Sequence, residues 1–212
     1  MATVFRESRL AHKILDGLKG WEIGPAAHNP FGLNTRYMGI PGSEEYQIKM
    51  CGRATRLDVV ALGDAIPLKT ESEDFIISSH VIEHCPNLIK SLLEWFRVIK
   101  VNGYIFVIAP LRDAEPDDVR RPLSAWSHFV ADYLGDMTLC KEPEPLPPSA
   151  HCHVFSIESL NECFFRVFGA RLKLVAMQNR DDKVGNGFTL AYQKVISWEK
   201  SFPWPLVVSV KP

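Results

Sequence analysis

The sequence predicts an α/β protein built on a mostly parallel sheet, and three observations carry that prediction. Asp74 to Ser79 reads as a short strand, PNLIKSLLEWFRVIK (86–100) places Leu88, Leu92, Trp95, Phe96 and Ile99 on one helical stripe, and YIFVIAP (104–110) is an uninterrupted apolar run. Such a run belongs to a strand covered on both faces. Strand, helix and strand at this spacing form a right-handed crossover between parallel neighbours.

The other elements follow from the same patterns. Phe5, Leu10, Ile14 and Leu18 fall near one helical face, with Gly20 as a stop. Trp21 to Ile23 is a brief strand running into a Gly24-Pro25 turn, and Asn34 to Ile40 is a second, broken by Pro41-Gly42. Arg56 to Leu62 is a third strand, because LDVVAL is β-branched and unbroken. Pro86 suits the start of the long helix, and Val101-Asn102-Gly103 is the turn before the next strand. Residues 112–155 then break the rhythm, with EPEPLPP at 142–148 around one helical piece, Leu123 to Leu134. That composition is expected of a lid or substrate cover rather than a second domain. Ser156 to Phe168 is helical and ends at Gly169, and Arg171 to Met177 and Gly187 to Tyr192 form a hairpin around NRDDKVGN. With no internal repeat, residues 1–212 read as a single domain carrying the 112–155 insertion.

Composition narrows the partners. The 24 Lys and Arg nearly cancel the 25 Asp and Glu, leaving a net charge of -1, which argues against nucleic acid held by phosphate neutralisation and favours a small or neutral partner. No run approaches the roughly 20 apolar residues that span a bilayer, so no membrane partner is expected. Arg6, Glu7 and Arg9 stand where a secretory signal needs an apolar run, which points to a cytoplasmic location. Cys51, Cys85, Cys140, Cys152 and Cys163 contain no CxxC pair and read as reduced packing residues. Oligomeric state leaves no mark in the pattern.

In an open parallel sheet, ligands bind beyond the carboxyl ends of the strands. The residues there are Glu22 to Phe31, Asp64 to Leu68 and Ser79 to His84. A turn of small residues lets a ligand approach the backbone, and acidic groups accept from sugar hydroxyls or an amine. That set suits a nucleoside without phosphates. The bland readings are a solvated strand end for Glu22, a turn residue for Asp64 and a helix-dipole partner for Glu83.

Residues 63–110, GDAIPLKTESEDFIISSHVIEHCPNLIKSLLEWFRVIKVNGYIFVIAP, resemble the central stretch of class I S-adenosylmethionine-dependent methyltransferases of the type 11 kind. WEIGPAAHNPF (21–31) is similar to a variant of their first motif, with Glu-Ile-Gly-Pro in place of Asp-Leu-Gly-Cys. The resemblance implies a seven-stranded, mostly parallel Rossmann-like sheet with helices on both faces and a C-terminal antiparallel hairpin. It implies S-adenosylmethionine as cofactor, with Glu22, Gly24, Pro25 and Ala26 around its methionine part. Asp64 and Ala65 would meet the adenine, and Ser79 and His80 would floor the sulfonium. Val101-Asn102-Gly103 replaces Pro-Gly-Gly, Ala26 and His28 replace the later glycines of GxGxG, and Gly39 stands where an acid usually grips the ribose. Glu44 or Glu45 is then the candidate to reach the diol.

Outside that stretch, His128 and His151-Cys152-His153 form a second constellation. Alternate residues of an extended segment face one way, which pairs His151 with His153, but no third ligand has a fixed spacing and the sequence defines no metal set. His128 and His151 are the candidate acceptor-side catalytic residues, with packing under the lid as the plain alternative. Trp126, His128, Tyr133, His151 and His153 together suit a pocket for a neutral organic acceptor. The expected activity is methyl transfer to a small molecule, a metabolite or sugar-containing compound. The rival is a non-catalytic methyltransferase-fold binding or scaffold protein with weak cofactor affinity. A nicotinamide oxidoreductase lacks its GxGxxG leading into a helix.

Overall fold

The run from Glu73 to Pro110 folds as strand, helix and strand and occupies the middle of the sheet, because its side chains are the most uniformly apolar in the chain. The computed structural model describes residues 8–114, 116–135 and 151–199. In chain order the elements are α1 (Arg9–Leu15), β1 (Gly20–Ile23), β2 (Thr35–Gly39), α2 (Ser43–Cys51), β3 (Val59–Val60), β4 (Glu73–Ser79) and α3 (Leu88–Val98), then β5 (Ile99–Pro110), α4 (Trp126–Leu134), α5 (Ile157–Phe168), β6 (Leu172–Gln178) and β7 (Gly187–Lys194). The seven strands lie in the order β3-β2-β1-β4-β5-β7-β6. β1 to β5 run parallel, and β7 pairs antiparallel with both β5 and β6.

Two apolar layers of unequal size cover the sheet. The larger gathers Trp21, Ile76, Ile105 and Leu190 with Trp95 and Phe96 of α3, Phe129 of α4 and Phe164 and Phe168 of α5. The smaller holds Ala11 and Leu15 of α1, Phe31, and Phe75, Ile77, Phe106 and Ile108 from the strands. Each large side chain so buried contributes about 1.5–3 kcal/mol. Capping fits the sequence: Asn87 Oδ1 accepts from Lys90 N at 3.0 Å, leaving Pro86 outside α3, and Ser156 and Ser159 form a reciprocal capping box on α5.

Several local expectations are corrected. Gly20 begins β1 instead of stopping a helix; α1 ends at Leu15, Gly17 (φ +82°) follows, and Phe5 lies outside the described residues. The third strand shrinks to Val59–Val60. Val101-Asn102-Gly103 is no turn but lies within β5, whose register with β4 shifts between Glu73 and Phe75. Asn102 takes φ +68°, and a Cβ on Gly103 would lie 2.7 Å from Asp74 O, so the bulge needs a glycine there. Helix α2 was not anticipated, since Tyr46, Ile48 and Met50 are exposed and only Gln47 is buried, leaving no apolar stripe to read. Within 112–155, α4 packs on α3 and buries Phe129 and Val130; EPEPLPP and Cys140 lie outside the described residues. Cys51, Cys85 and Cys163 are free thiols, and burial pushes Cys85 up to about 12. Among the described residues no helix is long and apolar enough to cross a membrane.

Lys194 ends β7 inside the larger layer with no exposed surface. Its Nζ donates to Phe96 O and Ile99 O, both at 2.8 Å, and pairs with Glu71 Oε1 at 3.0 Å, so it ties the carboxyl end of α3 to the hairpin. Removing it strands buried carbonyls. Lys194→Ala is expected to lower unfolding free energy by about 3 kcal/mol in urea titrations.

Candidate functional site

At the carboxyl edge of the sheet, register brings the predicted residues together. Ile23 pairs with Ser78 and with Met38, and Ser79 pairs with Ile108, so Glu22, Gly24 and Ser79 end neighbouring strands. Gly24 has φ +67° and donates its N–H to Met38 O at 2.8 Å; a Cβ there would collide with the Val81 side chain, so the position must stay bare. Ser79 Oγ is buried with no hydrogen-bond partner. Glu22 is 3% exposed, and burial pushes its carboxyl up to about 7 against the opposing pull of the Lys183 ammonium.

Lys183 comes from the turn between β6 and β7, which lies on this same edge. Its Nζ donates to Asn29 O and sits 4.0 Å from the centroid of the Phe31 ring. Asp181 builds the turn by accepting from the backbone N–H groups of Lys183, Val184, Gly185 and Gly187 at 2.6–3.0 Å. Burial raises the Asp181 carboxyl, but those donors outweigh it and hold it below the usual range. Asp182 accepts from Ser8 Oγ at 2.6 Å and Leu10 N at 2.9 Å, clamping the start of α1. The hairpin turn therefore reaches across the top of the sheet to the β1–β2 connection. That connection, residues 24–34, contains no helix, and its Phe31 fills the smaller layer edge-on to Phe106 at 6.3 Å.

Asp64 stands at the turn after β3, 3.1 Å from Lys90 Nζ, and Ala65 beside it is exposed. Trp95 Nε1 donates to Gly63 O at 3.0 Å and anchors that turn on α3. A side chain at Gly39 would have to displace Ser43 Oγ and Leu57 Cδ1, which lie 2.8 and 3.0 Å from where its Cβ would be. Glu44 is already engaged, accepting from Leu57 N at 2.9 Å, and Glu45 faces solvent. The residue that reaches toward the glycine turn is Gln47, whose Oε1 accepts from Ala27 N at 2.9 Å and Thr55 N at 3.1 Å. Pro25 is buried behind that turn, while Ala26 and His28 are partly open.

Beyond β4 the chain turns through His80, a non-glycine residue at φ +55° whose N–H donates to Ile108 O at 2.9 Å. Burial lowers the His80 pKa, against the attraction of Asp181. Glu83 is fully buried, with Oε1 3.8 Å from His80 Nδ1 and 4.0 Å from His84 Nε2. The two histidines of residues 151–153 part company. His151 lies across His84, ring centroids 4.7 Å apart, with Nδ1 2.5 Å from Asp118 Oδ2. His153 is buried the other way: Nε2 donates to Cys85 O at 2.9 Å and Nδ1 meets His128 Nε2 at 3.1 Å. His128 also lies 3.4 Å from Asp132 Oδ2. Burial brings His153 down to about 3, so it stays neutral.

A depression of about 620 Å³ between Thr35–Tyr37 and Arg56–Asp58 opens at the amino end of β2, on the wrong edge for a ligand of this sheet type. Sequence reasoning missed Gln47, Lys183, Asp181 and Asp118. The adjacent aspartates of NRDDKVGN were a turn signal, but nothing local aims Lys183 at Glu22.

The strand order and the bare turn after β1 define the class I methyltransferase fold. Residues 25–107 match the family model of a methyltransferase domain, type 11, a family whose cofactor is S-adenosylmethionine. An S-adenosylmethionine-dependent methyltransferase from Methanosarcina mazei superposes with TM-score 0.54 at 14% identity, covering 89% of this chain and 98% of that one. A possible histamine N-methyltransferase from Thermotoga maritima gives 0.52 at 17% identity, covering 88% and 86%. The [4+2]-cyclase SpnF gives 0.54 at 11% identity, covering 89% and 79%. These likenesses establish the fold. No curated protein sequence matches the chain. The residues present fit the cofactor at its methionine end, where Ser79 Oγ lacks a partner and Glu22 is buried with a raised pKa; the ribose end has no acid in the usual place.

Glu22 has a pH signature of its own. Its folded pKa of about 7 exceeds the ordinary 4.5, so the folded state holds the proton more tightly than the unfolded chain, and stability is lost as pH rises through that interval. Thermal melts across the window are expected to show Glu22→Gln gaining on the parent as pH rises, by on the order of 2 kcal/mol at the upper end.

Proposed function

We propose that the protein is a methyltransferase that takes a methyl group from S-adenosylmethionine and delivers it to a small-molecule acceptor, a metabolite or sugar-containing compound. The observation that carries this reading is the side-by-side placement of buried Glu22, bare Gly24 and unpartnered Ser79 at adjacent strand ends. S-adenosylmethionine, when bound, supplies an electrophilic methyl group on a sulfonium. Glu22 accepts from the amino group of the methionine part, and Gly24, Pro25 and Ala26 leave the backbone open to it. Asp64 and Ala65 meet the adenine, with Asp64 accepting from its amine. Ser79 and His80 form the floor.

On the acceptor side stand His151 and His128. Asp118 Oδ2 accepts from the Nδ1–H of His151, which leaves Nε2 with the lone pair, and Arg121 Nη1 steadies both by donating to Asp118 Oδ1 at 2.9 Å and His151 O at 2.8 Å. The 112–155 insertion covers the acceptor, as part of a single domain over 1–212. The net charge of -1 supports a neutral acceptor over a nucleic acid. A second reading, a binding protein that keeps the fold with weak cofactor affinity, is favoured by one feature: Gly39 supplies no ribose acid and Glu44 is tied to Leu57 N.

Calorimetry with S-adenosylhomocysteine separates the two. Binding in the parent, weakened by about 1–3 kcal/mol in Asp64→Ala, supports the first reading, and no measurable binding supports the second. Because an amino group beside Glu22 favours its ionised form, binding near pH 7 is expected to release a proton. Enthalpies measured in buffers of different ionisation heat would reveal it, and Glu22→Gln should abolish the buffer dependence. An unchanged dependence in that variant removes Glu22 from the methionine end.

A further inference from the structure

We propose that Glu83, His84 and His151 bind one divalent transition-metal ion of the zinc class. One donor atom from each lies within 4.8 Å of the others, a spread that a contraction of about 1.5 Å converts into the tetrahedral edge set by metal–ligand bonds of roughly 2.0–2.1 Å. The donors are two imidazoles and a carboxylate, a set that suits zinc and its neighbours and leaves the fourth tetrahedral position open to an exogenous ligand.

Three features make this a built site. Glu83 has no exposed surface, and its carboxylate is surrounded by imidazoles, with His80 and His84 nitrogens at 3.8 and 4.0 Å. His151 is oriented by a carboxylate behind it: Asp118, 2% exposed, holds Nδ1 at 2.5 Å, which turns Nε2 into the ligating atom. That carboxylate–imidazole pairing is the usual outer-shell arrangement of a metal-binding histidine, and Arg121 fixes Asp118 in turn. Finally, His84 is 44% exposed in its side chain, so an ion has a way in from solvent.

The second group of potential ligands, His128, Asp132 and His153, does not compete. Both ring nitrogens of His153 are engaged, Nε2 with Cys85 O and Nδ1 with His128, so that group is a closed hydrogen-bond chain. The proposed site begins four residues after Ser79, at the end of β4 where the donor methyl is placed by the reading above. Its use, holding an oxygen or nitrogen acceptor and lowering that group's pKa, rests on that reading. There His151 acts as a ligand rather than by taking a proton. Binding of the ion does not rest on it.

The test uses the untagged 212-residue chain, with Zn²⁺ uptake by equilibrium dialysis and the visible absorption of Co²⁺ as a probe of coordination geometry. One equivalent is expected, with the Co²⁺ band lost in His84→Ala and in His151→Ala while circular dichroism stays unchanged. Asp118→Asn is expected to weaken binding by about 10- to 100-fold. His84 is exposed, so its variant tests the site even if Glu83→Gln fails to fold. The absence of uptake by the folded parent, or a Co²⁺ band that survives both histidine variants and disappears in His128→Ala, overturns the proposal. Co²⁺ binding without S-adenosylhomocysteine binding keeps the metal site and removes the methyl-transfer reading.

Discussion

The register of the parallel ladder between β1 and β4 decides where every polar group at the ligand edge ends up. Pairing Trp21 with Ile76 and Glu22 with Ile77 places Trp21 and Ile23 in the larger apolar layer and Glu22 over the smaller one. A slip by one residue would send Glu22 into the layer built by α3, α4 and α5 and move Trp21 to the opposite face. The apolar residues on both faces resist that slip, so the position of a carboxylate that contributes nothing to packing is enforced by neighbours that do little else. The same ladder sets Gly24 beside Ser79 and leaves the turn bare where a ligand needs the backbone.

Charge burial at this edge is compensated from far along the chain. A carboxylate as buried as Glu22 is costly in isolation, and its nearest compensation is an ammonium from the C-terminal hairpin turn. Lys183 reaches that position because Asp181 folds the turn and Asp182 clamps it to α1. The β1–β2 connection has no helix, so the place where helix dipoles face the ligand in other α/β sites is filled by Phe31, Asn29 and this lysine. The hairpin turn is thus part of the carboxyl edge around Glu22 as well as the end of the sheet.

The opposite side of the site depends on aromatic packing. Phe129 of α4 stacks on Phe155 at 5.9 Å, and Ser124 and Val154 exchange hydrogen bonds, Ser124 N to Val154 O at 2.9 Å and Val154 N to Ser124 Oγ at 3.0 Å. These contacts carry residues 151–155 to the end of β4, where His153 N donates to Glu83 O at 3.0 Å. His153 belongs to this scaffold and meets His128 at 3.1 Å, and His151, just outside it, packs across His84. Core packing and the polar cluster are therefore one structure, in which loss of Phe129 would disturb the histidines it positions.

Local pattern alone determined the α/β class, the central strand–helix–strand unit, α5 with its cap, the C-terminal hairpin and the glycine turn after β1, because periodicity, capping and turn chemistry act between residues close in the chain. Glu22, Gly24, Asp64 and Ser79 were legible as strand-end residues for the same reason. Helix α2 was not, since it buries Gln47 in place of an apolar stripe, and the bulge at Asn102-Gly103 looked like a turn because both need a residue at positive φ. What only the tertiary structure decided is which distant groups meet: Lys183 with Asn29 and Phe31, Asp118 with His151, and His151 with Glu83 and His84. Those meetings follow from the docking of the hairpin turn and of α4, which is governed by the summed packing of two apolar layers and leaves no spacing signature in the sequence.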